Sequence, residues 1–409
     1  MKFKKAFIAL LVLFIVEGNC YSQNQTKPVI EKLYINPTYA RGGIDTQIFR
    51  SVTYIPLETT KESLFGKIFK MEVTDDYYIV SDQSTNSILV FQKNGKFHAK
   101  INGGKSTNSQ LDPNFTIDRK KKLIITRLSS IDEKLIWFDF NGKMVKQTPL
   151  KEIYYSIASL NSSIVFSPFT FLTKKVKKDS INYFIKYLNN SVVDKKLQPF
   201  NVSQYAMAPN LWVTEIPRPY NFYYSGIENN LLFVENYNYN IYVLDGSGIK
   251  KTYNVVFPQD LSIPTDSLAK RLSMVDKGEY LKENKDKIYT FRGAYIVGDY
   301  LCFETIKRDF YTTDRYLLYN LKTRSLISLQ KISSSIASSF LPLFSAFGSI
   351  VGSDNYYLYS TVSSLDMFQA KEETGKKIFM YMPPLQEYFD KETRKSNPVI
   401  VQLKLKENL

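Results

Sequence analysis

From Val52 to Leu403 the chain alternates short apolar runs with polar turns. The clearest stretch is Tyr77 to Ile101, YYIVSDQSTNSILVFQKNGKFHAKI. It reads as a short strand, a polar turn, an apolar strand, an Asn94-Gly95 turn and a third strand, because Asn-Gly supplies the positive φ angles a tight hairpin needs. Ile88-Leu89-Val90-Phe91 is apolar on both faces, which predicts a strand covered from both sides.

The same order returns at Leu123 to Leu150, with Asn141-Gly142 turning, and at Leu231 to Phe257, with Asp245-Gly246 turning. Looser copies are 163 to 169 with 183 to 193, and 300 to 306 with 315 to 329. A sixth unit opens at Asn355 to Tyr359 and ends, after a long insertion, at Val399 to Leu403. The early strand Val52 to Leu57 has no unit of its own, and Pro56 suits a ladder edge because it cannot donate. We read it as completing the last unit, which closes a ring and removes free sheet edges.

Repeats of this kind predict an all-β fold, a six-bladed β-propeller closed by an N-terminal strand. A β-sandwich shares short strands with regular turns, but the constant order of the units and the lack of a Pro-, Gly- or Ser-rich linker favour the ring. The 387 residues after position 22 give about 64 per unit, longer than the ~40–50 of compact blades, so insertions are required. Pro264 to Lys287 predicts a helix, with Asp266 as N-cap and Leu268, Leu272 and Val275 on one face. In Ser363 to Asn397, Leu385, Tyr388 and Phe389 predict another after Pro383-Pro384, both helices lying on one rim. Ile336 to Val351 reads as a further loop or a strand.

The N-terminus opens Met1-Lys2-Phe3-Lys4-Lys5 and continues apolar from Ala6 to Val16, a basic region and a short hydrophobic region that predict a secretory signal over 1–22. The run is short of the ~20 residues a spanning helix needs. Two cleavage readings stay open. Cys20 and Ser22 precede an ordinary cut at Gln23, or Cys20 is the lipidated residue of a lipoprotein. Asn19, where a lipoprotein signal wants a small residue, favours the ordinary cut. The organisation expected is a signal peptide (1–22), an N-terminal extension (23–50) and a propeller (51–409), exported to the periplasm or cell surface, with membrane contact only through a lipid at Cys20. Cys302 then stands alone, so no internal disulfide is expected, and its apolar neighbours predict a buried structural thiol.

Formal charge is +15, and removing three Lys and one Glu with residues 1–22 leaves +13. A basic exported protein favours anionic partners such as acidic glycans, and nucleic acid is not expected. The basic runs, Arg119 to Lys122, Lys174-Lys175 with Lys177-Lys178, and Lys282 to Lys287, are separate from one another and read as solvated turns or helix surface rather than one patch.

Leu57-Glu58-Thr59-Thr60, Ser63-Leu64-Phe65-Gly66-Lys67-Ile68, Ile88 to Phe91 with Asn94-Gly95-Lys96-Phe97, and Asn397-Pro398-Val399-Ile400-Val401 with Leu403-Lys404 resemble the bacterial secreted six-bladed β-propeller family, many of whose members are lipoproteins. The resemblance covers the first blade and the ring closure by residues and the other blades by pattern. It implies an exported propeller and carries no agreed catalytic residues. Relatives often follow blade one with Gly-x-Gly-Pro-Gly-Glu, where this chain has Asn102 to Gln110 instead.

Chemical motifs are few. Gly104-Lys105-Ser106 ends like a P-loop, but position 99 is Ala and no helix is predicted to follow. One histidine, His98, in a predicted outer strand, cannot build a zinc site, and no metal or cofactor is expected. No Gly-x-Ser-x-Gly elbow is present. Asp75-Asp76 reads as a solvated turn. The candidate ligand-binding residues are Trp212, Arg218, Tyr220 and Tyr223 in the aromatic connection between blades three and four, with Arg292 converging from blade five. Aromatic faces stack on sugar or peptide groups and Arg pairs with carboxylate or sulfate, although most of the 30 Tyr and 28 Phe must serve as blade core. The leading reading is a non-catalytic binding or scaffold propeller recognising a glycan, peptide or envelope protein. The alternative is a lyase or glycan hydrolase acting in the central funnel, which would need at least three converging carboxylate, His, Tyr or Arg side chains there.

Overall fold

A computed structural model describes residues 28–409 apart from 105–109, 129–133, 151, 153, 162, 169–179, 190–191, 202–220, 236–237, 265–266, 269–273, 309–314, 346–349, 376–380 and 408. The predicted signal and Cys20 lie outside the described residues. The described residues form six sheets, each built on a four-stranded antiparallel meander, two of them extended by a fifth strand. Their inner strands are Lys70–Val73, Thr116–Asp118, Tyr154–Leu160, Phe222–Tyr224, Thr290–Val297 and Ile350–Ser353. Five blades finish with an outer strand from the same unit, at Phe97–Asn102, Met144–Pro149, Val192–Asn201, Gly248–Val256 and Leu326–Ser333.

Blade six borrows its outer strand. Phe49–Pro56 pairs antiparallel with Val399–Leu405, from Pro56 opposite Val399 to Phe49 opposite Leu405, so the ring closes as the pattern around Val52 to Leu57 predicts. A buried asparagine, Asn397, fastens this closure. Its Oδ1 accepts from Phe65 N at 3.0 Å, and its Nδ2 donates to the carbonyls of Glu58 at 2.8 Å and Ser63 at 3.0 Å. The residues that carry the family resemblance are therefore the ones that lock the two ends together.

The segment ahead of Phe49 is a strap. Val29–Tyr34 joins blade four as a fifth strand, parallel to Gly248–Val256, and Arg41–Ile44 joins blade five parallel to Leu326–Ser333. Leu33, Ile35, Ala40 and Ile48 are buried beneath it in one core with residues of blades four to six.

Between blades the packing is apolar. Ile88, Leu89, Val90 and Phe91 are fully buried, as expected of a strand covered on both faces. Cys302 is buried in the same way, which raises its thiol pKa. His98 is a strand residue whose Nε2 lies 2.9 Å from Asn141 Oδ1.

Antiparallel meanders put all connections between first and second strands, and between third and fourth, at one end of the ring. Those connections are short turns, such as Gln92 to Lys96 and Asp139 to Lys143. The other end collects the long insertions. There the helix Pro383–Lys391 buries Leu385, Tyr388 and Phe389 as predicted, and a second helix, Ser364–Thr374, precedes it. Within the Pro264 to Lys287 insertion a helix runs over Met274–Glu283 among the described residues. Asp266 and Leu272 lie outside the described residues. The Ile336 to Val351 stretch holds a 3-10 turn at Ile336–Ser338 and then begins the inner strand of blade six.

Candidate functional site

The short-turn end of the central channel opens into a cleft of about 320 Å³ between blades one to four. Its walls come from the inner strands and the turns that follow them. Lys70 and Glu72 belong to blade one, Arg119 and Lys120 to blade two, Asn161 to blade three, and Tyr224 with Asn229 to blade four.

These side chains are tied into a chain of contacts. Lys70 is buried; its Nζ donates to the Phe115 carbonyl at 2.6 Å and lies 3.5 Å from Glu72 Oε1. Burial pulls the Lys70 pKa down, and the Glu72 carboxylate opposes that pull. Glu72 Oε2 accepts from Arg119 Nη2 at 2.9 Å, and Arg119 Nη1 donates to the Val73 carbonyl. The guanidinium then stacks 4.0 Å above the centre of the Tyr224 ring, a favourable cation–π placement. Burial raises the Tyr224 pKa, with Arg119 opposing. The Tyr224 hydroxyl donates to Asn355 Oδ1 at 3.3 Å.

Neighbouring blades in the ring are consecutive, so a contact from blade two to blade four, or from four to six, crosses the channel. Arg119 and Tyr224 therefore form a bridge over it. The turn that carries Tyr224 leans the same way: a Cβ on Gly226, at φ +74°, would stand 2.7 Å from the Ile296 carbonyl and 3.4 Å from that of Asp354. Only glycine fits there. Behind the bridge a space of about 20 Å³, room for one water, touches Lys70, Tyr223, Tyr295 and Ser353.

Of the residues expected to bind ligand, Trp212, Arg218 and Tyr220 lie outside the described residues. Tyr223 lines the cleft but is buried edge-to-face on Tyr295 at 5.4 Å between ring centres. Arg292 is elsewhere. It sits near the insertion end of blade five, where Nε and Nη2 hold Glu304 at 2.7 and 2.9 Å and Arg315 Nε reaches the same carboxylate at 2.6 Å. Tyr223 and Arg292 are thus not brought together.

Lys70, Glu72, Arg119 and Tyr224 were not singled out by sequence because inner strands of three or four residues are too short to display an alternation. The run Arg119 to Lys122 divides once folded. Lys121 pairs with Asp118 at 3.6 Å and Lys122 with Asp76 at 3.2 Å on the solvated turn, while Arg119 enters the cleft. A cation directly following a strand that opens a blade is the trace this leaves in sequence.

The sequence matches the family described as a domain of unknown function, DUF4934, over residues 45–404. The chain belongs to that family. Among solved structures, one named as a candidate exported protein of Bacteroides fragilis superposes with a TM-score of 0.67 at 15% identity, covering 93% of this chain and all of that one. A DUF4221 member from Bacteroides vulgatus gives 0.46 at 12% identity, over 88% of this chain and 97% of its own. A streptogramin B lyase gives 0.35 at 13% identity, over 69% and 76%. No curated protein matches the sequence. DUF4934 membership gives the family and the 0.67 superposition the six-bladed propeller fold, and neither establishes chemistry.

Proposed function

We propose that this DUF4934 chain is an exported propeller that binds a small polar ligand in the channel-mouth cleft and performs no chemistry on it. The observation that carries this reading is the Arg119–Tyr224 bridge at the edge of a cleft sized for a small molecule. Arg119 spends two of its five N–H donors on Glu72 and Val73 among the described residues. It is held in place by those bonds and by the ring, so little ordering is needed when a ligand arrives.

The funnel does hold converging ionisable groups, the condition set for the enzyme alternative. Their chemistry argues for binding instead. Glu72 faces Lys70 on one oxygen and Arg119 on the other, and the Tyr224 hydroxyl, held protonated by its raised pKa, donates to Asn355. A general base needs a lone pair near the substrate and a pKa close to the working pH, and this cluster supplies its basic oxygens to its own cations. Export rests on the N-terminal pattern and agrees with the description of the Bacteroides fragilis neighbour.

The test is a glycan and peptide binding screen on the domain from Gln23, repeated with Tyr224→Ala and Arg119→Ala. A ligand that binds the parent and loses at least tenfold in affinity to both variants, with unchanged circular dichroism, supports the reading. Ligands unaffected by either substitution would place recognition elsewhere.

A further inference from the structure

We infer that the cleft is built for an uncharged sugar rather than an anion, despite the basic character of the chain as a whole. The inference rests on the binding reading above and names its ligand class. Overall charge is +15, but the walls of the cleft contribute Lys70, Arg119 and Lys120 against Glu72, Asp118 and Glu228, three cations and three anions. Most are already committed. Lys70, Glu72 and Arg119 form one linked set, and Asp118 takes Lys121. An anion would have to compete with Glu72 for Arg119 in a half-buried site, where removing one partner of a paired charge is costly. The remaining Lys120 and Glu228 are exposed, opposite in sign and both on the mouth.

What the cleft does hold ready is amide chemistry. Asn161 and Asn229 stand at the apices of two turns, with φ of 50° and 64°, and Asn230 follows. Among the described residues none of these three side chains makes a hydrogen bond within the protein. Each offers two donors and an acceptor, the complement of neighbouring ring hydroxyls that both donate and accept. Tyr224 adds an aromatic ring against which the apolar face of a sugar can pack. At about 320 Å³ the space lies at the lower end of small-molecule sites, the size of one or two sugar units. A peptide would bring charged termini and apolar side chains, and this lining gives neither a large apolar recess nor an unpaired charge pair.

The experiment is titration calorimetry of the domain from Gln23 with cellobiose, lactose, maltose, mannobiose and chitobiose, against digalacturonate and a capped tripeptide, at two salt concentrations. At least one neutral disaccharide binds at least tenfold more tightly than digalacturonate. Its affinity changes less than twofold between low and high salt, because no net ion pair forms. It falls at least tenfold in Asn161→Ala together with Asn229→Ala, two exposed turn positions whose loss leaves the fold intact by circular dichroism. Tighter, salt-sensitive binding of digalacturonate overturns the inference, as does binding of the tripeptide alone. If that other ligand still loses affinity in Tyr224→Ala, cleft binding survives and only the ligand class is wrong. Failure of every neutral disaccharide to bind also overturns it.

Discussion

Replacing Asn397 by Ala tests how the ring is held shut. The side chain has no exposed surface and makes three hydrogen bonds, to Phe65 N, Glu58 O and Ser63 O, spanning more than 330 positions of sequence. A net hydrogen bond is worth about 0.5–1.5 kcal/mol, and a buried partner left bare costs about 1–3 kcal/mol. Glu58 O keeps the Ser63 hydroxyl at 2.7 Å, so two partners are stranded rather than three. The expected loss is about 3–5 kcal/mol, large for a single substitution. Asn397→Asp keeps the acceptor for Phe65 N but turns an oxygen toward two carbonyls, and is expected to cost at least as much. The assay is urea unfolding followed by far-ultraviolet circular dichroism and by tryptophan fluorescence. A lower midpoint with an unchanged slope means that the whole ring loses stability together, and a shallower or split transition means that blade six opens first. Either outcome fits the clasp. A change below about 0.5 kcal/mol in both variants would refute it, since that is what an ordinary surface position gives.

Three further expectations follow from the same structure. Deleting residues 23–44 removes the strap with its buried Leu33 and Ile35, bares the outer strands of blades four and five and lowers the urea midpoint by a moderate amount, while deleting 23–60 also removes the closing strand and lowers it much further; equal midpoints for the parent and the longer deletion would mean that the segment is dispensable. Glu235 is buried, accepts from the Tyr242 hydroxyl at 3.4 Å, and has its pKa pushed up by burial from 4.5 to about 7. The unfolded chain ionises it first, so it weakens folding progressively as pH rises from about 4.5 to 7, by about 3 kcal/mol in all; Glu235→Gln should flatten that part of the stability profile, and an unchanged slope would show that the carboxyl is already charged. Cys302 should resist a thiol reagent in the native protein and react after denaturation, because burial both shields it and raises its pKa; rapid native labelling would contradict its place in the core.

The local pattern of the sequence was enough for the architecture. Strands such as Ile88 to Phe91, apolar on both faces, have to lie between two other sheets, and Asn94-Gly95 or Asn141-Gly142 can turn a hairpin in only a few ways. Pro56 at the end of an unpartnered early strand pointed to a closing edge, and it is there, opposite Val399. Helix spacing located Leu385, Tyr388 and Phe389 because 3.6-residue periodicity needs only one turn of neighbours to show.

Only the tertiary structure decided the site. The inner strands Thr116–Asp118 and Phe222–Tyr224 are too short for periodicity to reveal, and their neighbours across the channel are set by ring geometry rather than by spacing along the chain. Arg119 and Tyr224 are 105 positions apart and touch because the inner ends of blades two and four, on either side of blade three, converge at the channel mouth. Arg292, which looked available in sequence, is held by Glu304, a residue of the adjacent strand. The strap, too, was beyond local pattern: Arg41-Gly42-Gly43-Ile44 has no strand signature, and it pairs only because the outer strand of blade five presents an open ladder to it. Periodicity reports which face of an element is buried. It carries no information about which buried or half-buried faces meet, and the cleft is made from that meeting.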